Sequence, residues 1–115
     1  MKLTIVAATA ALVLAAGVAQ AAEKYVWDGY GSGSSNNCSI YQMHIEFEVQ
    51  SGRAVGWWLQ KDRVVRNFDL PLSGEQFSGK VNIGTGDMNV KGNIGSSPEI
   101  RLTGYCNFGG PLKKL

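Results

Sequence analysis

Ten consecutive residues, Tyr41 to Gln50, alternate without a break between apolar and polar side chains: Tyr, Gln, Met, His, Ile, Glu, Phe, Glu, Val, Gln. The apolar members hold every odd position. A period of two puts them on one face of an extended chain, whereas a helix would scatter them around its axis. The segment is therefore a strand with one buried face. At about 3.3 Å per residue it spans about 33 Å. That length in a small domain fits a tilted, coiled strand of a barrel or of a strongly twisted sheet.

The same period recurs downstream. Ser51-Gly52-Arg53 is a hairpin signal, and Val55, Trp57 and Leu59 are read as the inward residues of the returning strand. Val64 to Leu72 is a weaker strand, because Pro71 cannot donate to a ladder. Phe77, Gly79, Val81 and Ile83 alternate with polar residues, as do Met88, Val90, Gly92 and Ile94, and then Ile100 through Phe108. Gly84-Thr85-Gly86-Asp87 and Gly95-Ser96-Ser97-Pro98 are turns. Tyr25 to Gly33 reads as a first strand. No segment after residue 21 repeats apolar residues at helical spacing. The expected fold is all-β: a small antiparallel meander or closed up-and-down barrel of about seven to eight strands. Gly79, Gly92 and Gly104 fall at inward-phased positions of three successive strands, where glycine lets a sheet coil and close.

The first twenty-one residues are of another kind. Lys2 gives a positive start, Leu3 to Val18 is an almost unbroken apolar run, and Ala19-Gln20-Ala21 supplies small residues where a signal peptidase cuts. The expectation is a signal peptide over residues 1–21 and a single domain over residues 22–115. The apolar run is too rich in alanine for a spanning helix. The location implied is periplasmic or secreted. An eight-stranded membrane barrel needs more chain than this, so the domain is expected not to be membrane-embedded.

Of the 115 residues, 94 remain after the leader, enough for one domain whose folding buries about 60–65% of the unfolded surface. Lys2 leaves with the leader, so ten basic residues face nine acidic ones, a net charge of +1. Nucleic-acid binders carry a clear basic excess, and none is expected as a partner. The two cysteines, Cys38 and Cys106, read as a disulfide in an oxidising compartment. Two free thiols with a redox role would lack the close pairing such sites use. Cys38 falls on the polar phase of the long strand, so it sits in the polar loop before it or a bulge shifts the parity.

Few residues suggest chemistry. His44, Glu46 and Glu48 share one face of the long strand, with alternate Cα atoms about 6.6 Å apart. Two carboxylates so placed can serve as an acid/base pair, and with the histidine they can bind a metal. An outer face decorated with charge has the same pattern, and no cofactor or metal is expected. Trp57 and Trp58 point to opposite sides of their strand. Phase with Val55 and Leu59 makes Trp58 the outward one, a candidate contact residue. Lys61, Arg63 and Arg66 form a basic cluster around the following turn, also a candidate contact. Asp62 and Asp69 interleave with it and offer compensation. Trp27 is expected in the core at a barrel end. Gly84-Thr85-Gly86-Asp87 lacks the Lys-Ser/Thr and helix of a phosphate loop.

Trp27-Asp28-Gly29, Cys38 before the long strand, Gly52-Arg53, Ser73-Gly74, Ser78-Gly79 and the late Cys106 together resemble a loose group of small exported bacterial β-rich proteins. The resemblance spans most of residues 22–115. It implies a β-rich periplasmic fold, no established activity and no functional residues. The up-and-down form is similar in architecture to avidin- and lipocalin-type barrels, and architecture does not fix function.

The expected function is that of a non-catalytic macromolecule-binding or interaction module, in contact with an envelope protein or glycan. One alternative is a binder of a small apolar ligand inside the barrel, against which stand the bulky inward side chains Phe47, Trp57, Phe77 and Phe108. The other is a hydrolase using Glu46 and Glu48.

Overall fold

The computed structural model describes residues 22–34, 37–60 and 64–115. The leader expected over residues 1–21 lies outside them, as do Lys61 and Arg63. The described residues form nine antiparallel strands: β1 (Glu23–Tyr30), β2 (Gln42–Gln50), β3 (Arg53–Leu59), β4 (Val65–Ser73), β5 (Gln76–Asn82), β6 (Asp87–Asn93), β7 (Glu99–Thr103), β8 (Asn107–Pro111) and the two-residue β9 (Lys113–Lys114). Each pairs with the next in a meander from β1 to β8, and β9 pairs back onto β1. The sheet is nearly closed into a barrel. At one end of the closing seam, Ser32 and Asn107 exchange two backbone hydrogen bonds of 2.8 Å. At the other, Lys113 and Lys114 pair with Val26 and Tyr25, and the Leu115 N–H donates to the Lys24 carbonyl. The β4–β5 seam is laddered only at Leu72↔Phe77 and Ser73↔Gln76. Beyond it, Leu70 lies over Gly79, and the Arg66 guanidinium donates to the Ile83 carbonyl at 2.8 Å.

The long strand behaves as its alternation requires. Met43, Ile45 and Phe47 are buried, while His44, Glu46 and Glu48 stand on the outer wall. The phase of β3 does not follow the sequence reading. Ser51 and Gly52 are the two central residues of a tight hairpin, with φ of 52° and 73°. Positive φ at both is the type I′ turn that matches the twist of a two-residue hairpin, and glycine takes such a φ without steric penalty. Gln50 therefore faces Arg53, and each odd residue of β2 faces an even residue of β3: Ile45↔Trp58, Phe47↔Gly56, Val49↔Ala54. Opposed residues share a face, so Ala54 and Trp58 point inward and Val55, Trp57 and Leu59 outward. Trp58 is wholly buried. The outward placement of Trp58 and the inward placement of Trp57 are both corrected: turn length set the parity, and the apolar character of residues 55, 57 and 59 misled.

The interior is filled. Tyr25, Phe47, Phe68, Phe77 and Trp58 form a continuous aromatic cluster with ring centroids 5.2–6.4 Å apart. Ile45, Ala54, Val90, Ile100 and Leu102 pack around it, with Trp27 half-buried against its edge. Two of the three in-phase glycines make room for this packing. Gly79 lies beneath Leu70 and Gly92 beneath Phe77, while Gly104 falls in the turn after β7. A Cβ on Gly92 would come within 2.1 Å of the Phe77 Cζ. Phe77 is flanked by Phe47 and Phe68, which oppose its retreat. Gly92→Ala is expected to lower stability by about 1–3 kcal/mol through overpacking, measured as an earlier urea midpoint. An unchanged midpoint would mean that Phe77 has room to retreat.

Candidate functional site

Two features of the barrel carry polar or apolar groups in an unusual concentration. The first is on the outer wall across β1, β2 and β3. The register places Asp28 opposite His44 and Glu46 opposite Trp57. His44 Nδ1 lies 2.6 Å from Asp28 Oδ1, and its Nε2 lies 3.2 Å from Glu46 Oε1. The ring also lies 5.3 Å from Trp57. Lys24 Nζ reaches Glu46 at 3.7 Å and Glu48 at 4.0 Å. The sequence pointed to His44, Glu46 and Glu48 as one face, which they are. It did not supply Asp28, whose part depends on cross-strand register. Among the described residues no group of three or more His, Cys, Asp or Glu side chains is arranged to hold a metal ion.

With a carboxylate on each ring nitrogen, His44 satisfies both contacts only as the doubly protonated imidazolium. Partial burial pulls its pKa down, but the hydrogen bonds to Asp28 and Glu46 and their charges push it up further, so the net direction is upward from 6.5. A histidine with a raised folded pKa contributes stability that is complete below about pH 6.5 and is lost as pH rises through the raised value. An NMR titration of His44 is expected to give a midpoint above 6.5, lowered by Asp28→Asn. The urea midpoint is expected to fall as pH rises through that value, and His44→Gln is expected to remove this component. A His44 midpoint at or below 6.5 would contradict the arrangement.

The second feature is a hollow of about 330 Å³ at one end of the barrel. It lies where the loop before β2, the end of β3, the β5–β6 turn and the β7–β8 turn converge. Met43, Met88, Cys106 and Phe108 form its buried depth. Ile83 and Thr85 border it from the β5–β6 turn, Tyr41 and Gln42 from the start of β2, and Gln60 from just after β3. Tyr105, 81% exposed, stands at its rim. None of its described lining residues carries a charge. The wholly buried Trp58 indole N–H donates to Gln60 Oε1 at 3.1 Å, which leaves the Gln60 amide nitrogen as a donor. A neighbouring hollow of about 390 Å³ runs over Ile40, Leu59, Asp28 and His44, and shares Gln42, Met43 and Gln60 with the first.

The disulfide frames this end. Cys38 sits in a short 3-10 turn (Cys38–Ile40) and bonds Cys106, tying the loop before β2 to the β7–β8 turn. The expected pair is present, and Cys38 lies in the loop rather than on the strand. Inward-phased Phe68, Leu70 and Leu72 set the parity of β4, and Arg66 shares it. Its guanidinium bridges the β4–β5 seam to Ile83, and its Nε is buried without a hydrogen-bond partner. Arg66 is thus half-buried and engaged at the seam. Lys61 and Arg63, the other members of the expected basic cluster, lie outside the described residues, and Trp58 is in the core.

No family model, curated protein or solved structure matches the chain.

Proposed function

We propose that this chain is an exported, non-catalytic binding module that receives a small ligand at the open end of its barrel. The observation that carries this reading is the contrast along the barrel axis. The middle is filled by five aromatic rings, and one end opens into a concave, largely apolar hollow with a few polar groups. Its size is at the lower limit of small-molecule sites. A ligand therefore sits in the mouth rather than within the lumen. The histidine–carboxylate cluster stands on the outer wall, its groups already engaged with one another and with Lys24, and acid/base chemistry needs a group within reach of a bound substrate.

Export is supported by the leader-like residues 1–21 and by the disulfide, a bond that persists in oxidising compartments. Among the described residues no helix is long and apolar enough to cross a membrane. Lys24, Glu48, Arg53, Asp69, Lys91 and Arg101 lie on the outer wall, and the buried core is apolar. A membrane barrel has the opposite arrangement, with an apolar belt outside.

A fragment screen of small neutral compounds, followed by amide NMR of the processed and oxidised chain, tests the reading. Shifts are expected to gather on residues 41–43, 60, 83–88 and 105–108. Shifts gathered on the outer wall, or turnover of a compound that Glu46→Gln abolishes, would overturn it. A second reading, contact with a macromolecule, is favoured by the outward row Val55, Trp57 and Leu59 beside the exposed Val65. It expects capture of an envelope partner that Trp57→Ala abolishes.

A further inference from the structure

We infer that the tip of the β5–β6 hairpin, Val81 to Met88, is a lid over the hollow, latched by the Arg66 guanidinium. The inference concerns how the site proposed above is entered. Its purpose rests on that reading, while the motion itself does not. The ladder between β5 and β6 is continuous from Gln76↔Asn93 to Asn82↔Asp87. The ladders on its flanks stop short. On the β4 side pairing ends at Leu72↔Phe77, and on the β7 side it ends at Asn89↔Thr103. Residues 81–88 therefore extend beyond both neighbouring ladders. The tip is closed on itself. The Ile83 N–H donates to the Gly86 carbonyl at 2.9 Å, and the Gly84 N–H donates to Asn82 Oδ1 at 2.9 Å. A hairpin with its bonds inside it lifts as one piece without breaking them, so its opening costs little compared with global unfolding.

The tip supplies one wall of the hollow through Ile83, Thr85 and Met88. The opposite wall is fixed, because the Cys38–Cys106 bond and the paired backbone of Ser32 and Asn107 hold it. Lifting the tip widens the hollow from one side only. Val81 and Ile83 pack on the core from the underside of the tip, and Met88 is buried with its sulfur beside Gly104. Across the part of the seam where the β4–β5 ladder is missing, Arg66 Nη2 donates to the Ile83 carbonyl at 2.8 Å. A guanidinium makes a charge-assisted hydrogen bond, stronger than a neutral one. The same side chain opposes closure, because its Nε is buried without a partner among the described residues. Water meets that donor once the tip lifts. The charge-assisted bond outweighs the unmet donor and keeps the lid shut, and the small difference between them leaves it able to open.

The test uses the processed, disulfide-bonded chain with no ligand added. Amide relaxation dispersion is expected to show microsecond-to-millisecond exchange at residues 81–88 and none at residues 38–41 and 105–107. Hydrogen peroxide gives a second readout, sulfoxide formation at the two methionines in the depth of the hollow. Met88 rides on the lid and Met43 on β2, and they are 5% and 3% exposed. Met88 is expected to oxidise faster than Met43. Arg66→Leu keeps an apolar stem and removes the latch. It is expected to speed oxidation of Met88 about tenfold, and that of Met43 by less. Absence of exchange at residues 81–88, or an unchanged Met88 rate in Arg66→Leu, would overturn the lid. Equal acceleration at Met43 and Met88 would also overturn it, since the whole end would then have loosened. If Arg66→Leu does not fold, the dispersion and the Met88-to-Met43 rate ratio of the unsubstituted chain decide, and equal rates count against the lid. The binding reading fails separately. Exchange at the tip with no compound shifting a mouth residue would overturn binding and leave the motion, whereas compounds bound beneath a rigid tip would overturn the lid alone.

Discussion

Trp58→Ala is expected to lower stability by about 3–5 kcal/mol, while Trp57→Ala, one residue away, lowers it by about 1 kcal/mol or less. Trp58 is wholly buried, packs against Phe68 at 6.0 Å and satisfies its indole N–H on Gln60. Its removal leaves a large cavity in the aromatic cluster and frees Gln60 at the hollow. Trp57 lies on the outer wall, half-covered, with His44 as its ring neighbour. Against a typical total of 5–15 kcal/mol, the first change approaches the limit of what a small domain withstands. Urea unfolding followed by circular dichroism measures both. A larger loss at Trp57 than at Trp58 would mean that the β2–β3 register is shifted by one residue, which would turn every side chain of β3 to the other face.

Removing the disulfide is the second large effect. Cys38 and Cys106 are 68 positions apart. Cross-linking a loop of that length removes unfolded-state entropy worth about 4 kcal/mol. The Cys38→Ala, Cys106→Ala double variant is therefore expected to unfold at much lower urea than the oxidised chain. Reduction by dithiothreitol in moderate urea should give the same loss. The bond also holds the loop that borders the hollow, so backbone amides of residues 37–41 and 104–106 should exchange faster in the variant than those of β2. Equal urea midpoints for the oxidised chain and the double variant would show that the Ser32–Asn107 hydrogen bonds and the β1–β9 pairing close the barrel alone.

The sequence makes some of this visible and hides the rest for physical reasons. In β2, β6 and β7 one set of alternate residues is apolar and the other polar, so burial on one face is the simplest solution and the structure adopts it. In β3 both sets are apolar: Ala54 and Trp58 on one side, Val55, Trp57 and Leu59 on the other. Hydrophobicity cannot choose between them. The two-residue turn at Ser51-Gly52 can, because it fixes which residues oppose. Gly109, Gly110 and Pro111 carry no strand signal of their own, yet they belong to β8. Its extended form comes from pairing with β7, and Trp27 packs beside Gly110. Asp28 joins His44 only through an eight-residue ladder between β1 and β2. The hollow has no local signature at all, since its lining comes from separate turns and strand ends that only barrel closure brings together.

The pairing of β1 with β9 also decides where attached chains would emerge. Ala22 and Leu115 flank the neighbouring residues Lys24 and Lys114, at the end of the barrel that holds the Ser51-Gly52 hairpin. The hollow opens at the opposite end. Backbone leaving the barrel at Ala22 or at Leu115 therefore does so at the end remote from the mouth.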